Sequence, residues 1–154
     1  MDDTWRRRRT KAYLFLIALK RRMTVGARVV LIDGEQVLLI RHTYTPGWQF
    51  PGGGVEPGES GERGAAREAM EEAGYRLTGR PELFGLYHNV RVTNRDHVAL
   101  YLCRQFEPAR PFKPNFEIAE AGWFDRRALP SDTHESVRLR VAEIFEGAEK
   151  SEKW

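Results

Sequence analysis

Cysteine is nearly absent from this 154-residue chain: Cys103 is the only one. An intramolecular disulfide, a stapled secreted scaffold and a cysteine-based zinc site are therefore excluded, and a reducing cytoplasm is the expected compartment. Long apolar runs are missing too. The run Ala12 to Leu19 has eight residues, far short of the ~20 that a transmembrane helix needs. Lys20-Arg21-Arg22 follows it, where a secretory signal would carry small residues at a cleavage site. The chain has no internal repeat, no low-complexity block and no linker with a second core beyond it, so one domain is expected. Apolar residues make up 41% of the chain and aromatic residues 11%. That is enough for a core and excludes wholesale disorder.

Charge is unevenly placed. Residues 1–23 hold Arg6, Arg7, Arg8, Arg9, Lys11, Lys20, Arg21 and Arg22 against Asp2 and Asp3, an excess of six positive charges. The other 131 residues carry 17 basic and 20 acidic side chains. A basic chain suggests nucleic acid as partner, but here the excess belongs to a terminal arm and the body is mildly acidic, so no DNA partner is expected. The arm reads first as a helix whose apolar residues dock on the domain or on a second subunit, which makes it a candidate homodimer interface. A second reading is an interfacial helix in which Trp5 and Tyr13 to Leu19 enter a lipid headgroup boundary.

From Thr24 the pattern becomes that of strands. Val25, Ala27, Val29 and Leu31, then Asp33-Gly34, then Val37 to Ile40 predict a hairpin. Residues 43–60 are dense in Gly and Pro and predict a structured loop. Ser60 is a candidate N-cap, residues 61–73 read as helix, and Gly74 stands just past its end. Strands are predicted over Leu83 to Val92 and His97 to Phe106. A short edge strand is predicted at Gly122-Trp123-Phe124, and a closing helix over Glu135 to Glu146. This order predicts an α/β domain over residues 24–146, a mixed sheet with helices on its faces, preceded by the arm 1–23 and followed by a tail, 147–154.

One stretch carries chemistry. If residues 61–73 are helical, Glu68, Glu71 and Glu72 stand at i, i+3 and i+4 and share one face. Like charges so placed repel, so a cation is expected to meet them. All-oxygen ligands suit Mg²⁺ or Mn²⁺, ions that are commonly shared between carboxylates and substrate phosphates. The glycines ahead of the helix, Gly53 and Gly54 among them, let backbone approach phosphate oxygens closely.

Gly53, five residues, Glu59, seven residues, Arg67-Glu68, two residues, Glu71-Glu72, one residue and Gly74: this spacing resembles the Nudix box. The resemblance extends outwards through Val37 to Arg41, Trp48 to Gly54, Glu117-Ile118, Trp123-Phe124 and Leu129-Pro130, covering roughly residues 24–146. It implies an α/β/α sandwich around a mixed β-sheet and Mg²⁺-dependent hydrolysis of a nucleoside diphosphate linked to another moiety. By the same resemblance, Glu71 and Glu72 match the principal metal ligands, Glu68 a further ligand or the base, and Arg67 with Glu59 a salt bridge fixing loop to helix. The water-activating residue is expected on a later loop, where Glu117 is preferred to Glu120. Arg41, His42, Tyr44 and Trp48 are candidates to contact phosphate or stack on a base. His88, Asn89, Arg91, Arg95 and His97 are lesser candidates. An RNA 5′-pyrophosphohydrolase and a nucleotide-sensing domain without catalysis are the alternative functions.

Overall fold

The computed structural model describes residues 3–154, with side chains from Arg8 onward; the side chains of Trp5, Arg6 and Arg7 lie outside the described residues. Helix α1 (Asp3–Arg21) precedes strand β1 (Thr24–Asp33), which turns at Gly34 into β2 (Gln36–His42). β3 (Trp48–Gln49) and β4 (Gly52–Gly54) lead to helix α2 (Gly61–Ala73). Then come β5 (Tyr75–Leu77), β6 (Glu82–His88), β7 (Asp96–Cys103), β8 (Phe106–Pro108), β9 (Ile118–Asp125) and helix α3 (Glu135–Phe145).

β1 is buried on both faces, as a central strand flanked by helical layers must be. Ala27, Val29 and Leu31 meet Ala65, Ala69 and Ala73 of α2, whereas Val30 and Ile32 meet Val137 and Val141 of α3. Helices thus cover both faces of a mixed sheet, the α/β/α sandwich that the resemblance implies. The alanines at four-residue steps form a smooth stripe that lets α2 lie close to the sheet. Gly64 serves the same approach: a Cβ there would meet Ala27 Cβ at 3.5 Å and Glu59 Oε2 at 3.2 Å. Ser60 caps α2 by accepting from Arg63 N, and Gly74 ends it at φ 77°, a left-handed conformation that glycine adopts freely.

The sheet opens where the chemistry is expected. β1 runs parallel to β7 and antiparallel to β2 only beside the hairpin turn, at Ile32↔Val37 and Asp33↔Gln36. Farther from the turn the two strands part. β1 pairs there with β4, Gly26 to Arg28 against Gly54 to Gly52, while β2 pairs with β3 at Ile40↔Gln49 and Arg41↔Trp48. Residues 48–54 therefore wedge into a split in the sheet.

Three elements differ from the sequence reading. The strand foreseen to Val92 stops at His88, because residues 89–95 turn back through Val92 N to Asn89 O (3.2 Å) and Asn89 N to Asp96 O (2.8 Å). The strand foreseen to Phe106 divides, and β8 leaves the main sheet to pair with β5. The short strand foreseen at Gly122 is eight residues long and pairs along the whole of β2.

The tail is docked. His88 N donates to Glu152 O (2.8 Å) and Trp154 N to His88 O (3.1 Å), extending the β6 edge. Trp154 packs on the α3-side core. Beneath it Arg140, fully buried, donates to Glu143 Oε1 (2.7 Å) and Lys153 O (3.0 Å). Tyr87 Oη donates to Glu143 Oε2 (2.8 Å) and Ser151 N to Glu143 Oε1 (2.9 Å). Burial and the bond to Glu143 push the Tyr87 hydroxyl pKa well up, so it stays a donor.

Candidate active site

The split in the sheet holds a cavity of about 370 Å³. Arg28, His42, Tyr44, Thr45 and Gln49 line it together with Gly52 to Gly54, Glu68, Glu72 and Glu117. Two glycines make it by close approach. A side chain at Gly52 would meet Arg28 Cα at 2.7 Å, and one at Gly53 would meet Glu68 Oε1 at 2.5 Å. Gly52 N donates to the Glu72 carboxylate at Oε2, 2.7 Å away.

Arg67 joins loop to helix. Nε and Nη2 donate to both oxygens of Glu59 (3.0 and 3.1 Å), Nη2 also to Gly54 O (3.0 Å), and Nη1 to Glu68 Oε1 (2.7 Å) and Glu71 Oε2 (3.1 Å). A planar guanidinium holding a carboxylate with two parallel bonds fixes orientation as well as charge. Its bonds to Glu59 are the main reason the Arg67 pKa is raised, and that partner is in turn held low by Arg67.

Within the cavity negative charge is crowded. Glu72 is buried, and that burial pushes its pKa up to about 8, with Glu68 and Glu117 adding repulsion while the Gly52 N–H and Arg28 oppose it. Glu68 is also raised by burial, against the pull of Arg67. Arg28 donates to Phe50 O (2.8 Å); burial lowers its pKa, and Glu72 and Glu68 act to hold it up. His42 Nδ1 is buried with no hydrogen-bond partner, and burial followed by Arg28 lowers its pKa. One ligand atom from each of His42, Glu72 and Glu117 lies within 4.8 Å of the others. Three carboxylates, a neutral imidazole and a tight backbone wall are a donor set that fits a hard divalent cation.

Of the residues expected at the site, Glu68, Glu72, Glu117, Gly53, Gly54 and Tyr44 surround this one cavity. Glu117 comes from the loop before β9, where Asn115 Oδ1 accepts from both Glu117 N and Ile118 N at 2.8 Å. Glu71 stands apart. Its carboxylate is mostly exposed, tied to Arg67, and borders a neighbouring 270 Å³ cleft with Arg110, Lys113 and Asn115.

Arg41 and Trp48, expected as substrate contacts, do not line this cavity. Trp48 is buried in the α3-side core against Phe124, and Arg41 lies over its ring, paired with Glu120 and Asp132. Strand alternation is the cause: His42 faces the cavity, so its neighbour Arg41 faces away. Glu120 is thereby occupied as well. Among the lesser candidates, His88 and His97 stack on each other, Asn89 holds Asp96, and Arg91 pairs with Glu135; none of these, nor Arg95, lines the cavity. Arg28, Thr45 and Gln49 were missed. A signal for Arg28 was present, a lone cation in a strand otherwise apolar on both faces.

Comparison with known proteins identifies the family of the domain. The family model described as the NUDIX domain matches residues 22–144. A MutT-like protein of Streptomyces ambofaciens is 31% identical over 123 residues, which span 79% of this chain and 76% of that one. A Bacillus subtilis (strain 168) protein, provisionally named an 8-oxo-dGTP diphosphatase, is 37% identical over 76 residues, and the match spans half of its length. The crystal structure of a MutT NUDIX hydrolase from Burkholderia pseudomallei superposes with a TM-score of 0.69 at 27% identity, over 79% of this chain and 97% of that one.

Proposed function

The chain belongs to the Nudix family of hydrolases, and we propose that it cleaves the pyrophosphate linkage of a nucleoside diphosphate joined to another moiety, with Mg²⁺ or Mn²⁺ as cofactor. The observation that carries this reading is the meeting of Glu68 and Glu72 with Glu117 in one cavity walled by glycine backbone. Glu72 and Glu68 would hold the cation from the helix, with Glu117 opposite them. Glu71 would join them on leaving Arg67. When bound, the cation neutralises diphosphate charge and lowers the pKa of a coordinated water. Glu117 orients or deprotonates the attacking water, and Arg28 supplies positive charge to the phosphate oxygens. Tyr44, largely exposed at the rim with its ring 5.0 Å from His42, offers a face to the nucleoside.

The test is hydrolysis of ADP-ribose, nucleotide sugars, dinucleoside polyphosphates and oxidised nucleoside triphosphates with Mg²⁺ or Mn²⁺, comparing the intact chain with Glu72→Gln and Glu117→Gln. Turnover of one class, lost in both variants, is the expected result. Tight nucleotide binding without turnover across the panel would replace the reading with that of a sensor.

A further inference from the structure

Helix α1 lies ahead of the residues that match the family. Its last turn is anchored: Arg22 takes the left-handed conformation at φ 44° and donates from Nε to Leu19 O (3.1 Å), and Arg95 donates to Arg21 O (3.4 Å). Before that turn the helix carries an apolar surface that no described residue covers. Tyr13, Leu14, Phe15, Leu16 and Leu19 are all exposed, Leu16 to 65%. Neither core cluster includes a described residue of α1, so the arm takes no part in the core of its own domain among the described residues. Ala12, Phe15, Leu16 and Leu19 stand at i, i+3, i+4 and i+7, so they form one face. Arg8 precedes that face by one turn, and Lys20 and Arg21 follow it.

An exposed apolar face of this size marks an interaction surface, and charge selects its partner. Both ends of the helix are basic, so a second α1 would set cation against cation in the parallel and the antiparallel arrangement alike. A surface of anionic headgroups over acyl chains complements both features at once. Among the described residues no helix is long and apolar enough to cross a membrane, so the helix lies along such a surface.

We propose that α1 is an interfacial anchor. Phe15, Leu16 and Leu19 enter the acyl boundary of an anionic phospholipid surface, while Arg8, Lys20 and Arg21 meet the headgroup phosphates. The acidic body is repelled by the same surface and hangs from the arm.

The test is sedimentation of the full chain with vesicles of equal parts phosphatidylglycerol and phosphatidylcholine, and with vesicles of phosphatidylcholine alone. The chain sediments with the first and not the second. Leu16→Asp with Leu19→Asp weakens partition about a hundredfold, and Lys20→Gln with Arg21→Gln about thirtyfold. Both variants keep the wild-type melting temperature, since the replaced side chains are exposed. Equal partition to both vesicles, or partition unaffected by the aspartates, would overturn the proposal. So would a lipid-free dimer that the aspartates dissolve, or single-stranded RNA binding that leaves the vesicles unbound.

Discussion

Two clusters of buried charge in this molecule use similar side chains to opposite ends. Around α3, the carboxylate of Glu143 accepts from Arg140, Tyr87 and Ser151 N, and Arg140 also reaches the Lys153 carbonyl. One cation meets one anion, and donors fill the remaining lone pairs. In the cavity beside α2, Glu68, Glu72 and Glu117 face Arg28, and the second cation nearby, Arg67, is shared with Glu59 and Glu71. The first cluster balances its charges within itself, although Arg140 Nε is buried without a hydrogen-bond partner. The second sets three carboxylates against Arg28; burial is the main cause of the raised pKa of Glu68 and Glu72, and repulsion between the carboxylates adds to it. Buried charge left uncompensated is costly, so its retention points to a cation that completes the set.

Removing acids from the two clusters separates these roles. The largest effect is expected from Glu72→Gln, which lowers kcat about a thousandfold, the weight of several kcal/mol of transition-state charge stabilisation. In EDTA the same variant melts no lower than the wild type, because a neutral amide relieves repulsion. Saturating Mg²⁺ raises the melting temperature of the wild type but not of the variant. Glu143→Ala does the reverse. It leaves Arg140 buried and unpaired and costs about 3–5 kcal/mol in a denaturant titration, while the folded fraction keeps its kcat.

Smaller changes sharpen the contrast. Arg28→Ala removes the cation inside the cavity and lowers kcat/KM about tenfold to a hundredfold, the worth of a hydrogen bond to a charged group. Arg41→Ala, one strand away and outside the cavity over the Trp48 ring, leaves kcat/KM unchanged in the same assay. Equal losses from the two arginines would contradict the placement of Arg28 inside the cavity and Arg41 outside it.

Much of the α2 side was legible because its signals are local. Ser60 and Gly74 bound the helix through bonds within their own turns, and the spacing of Glu68 and Glu72 puts them on one side of any α-helix. The run of glycines was legible as a close approach, though what approaches, Arg28 Cα and the Glu68 carboxylate, was not. The strands were harder. Whether Arg41 or His42 faces the cavity depends on register with β9, which shifts between these two residues, and a one-residue slip exchanges the faces. The tail read as an appendage because the contacts that dock it on β6, to Phe84, Tyr87 and His88, reach at least 60 residues back along the chain.

The sequence alone determined the α2 helix, its caps, its acids and the family of the domain, since all of these rest on spacings within about 25 residues. Tertiary structure decided which of the acids share a cavity, that Arg28 rather than Arg41 stands among them, and that the tail is packed while the apolar face of the arm is bare. Those outcomes depend on strand register and on the parting of β1 from β2, where side-chain direction is set by a partner strand and not by neighbours in sequence.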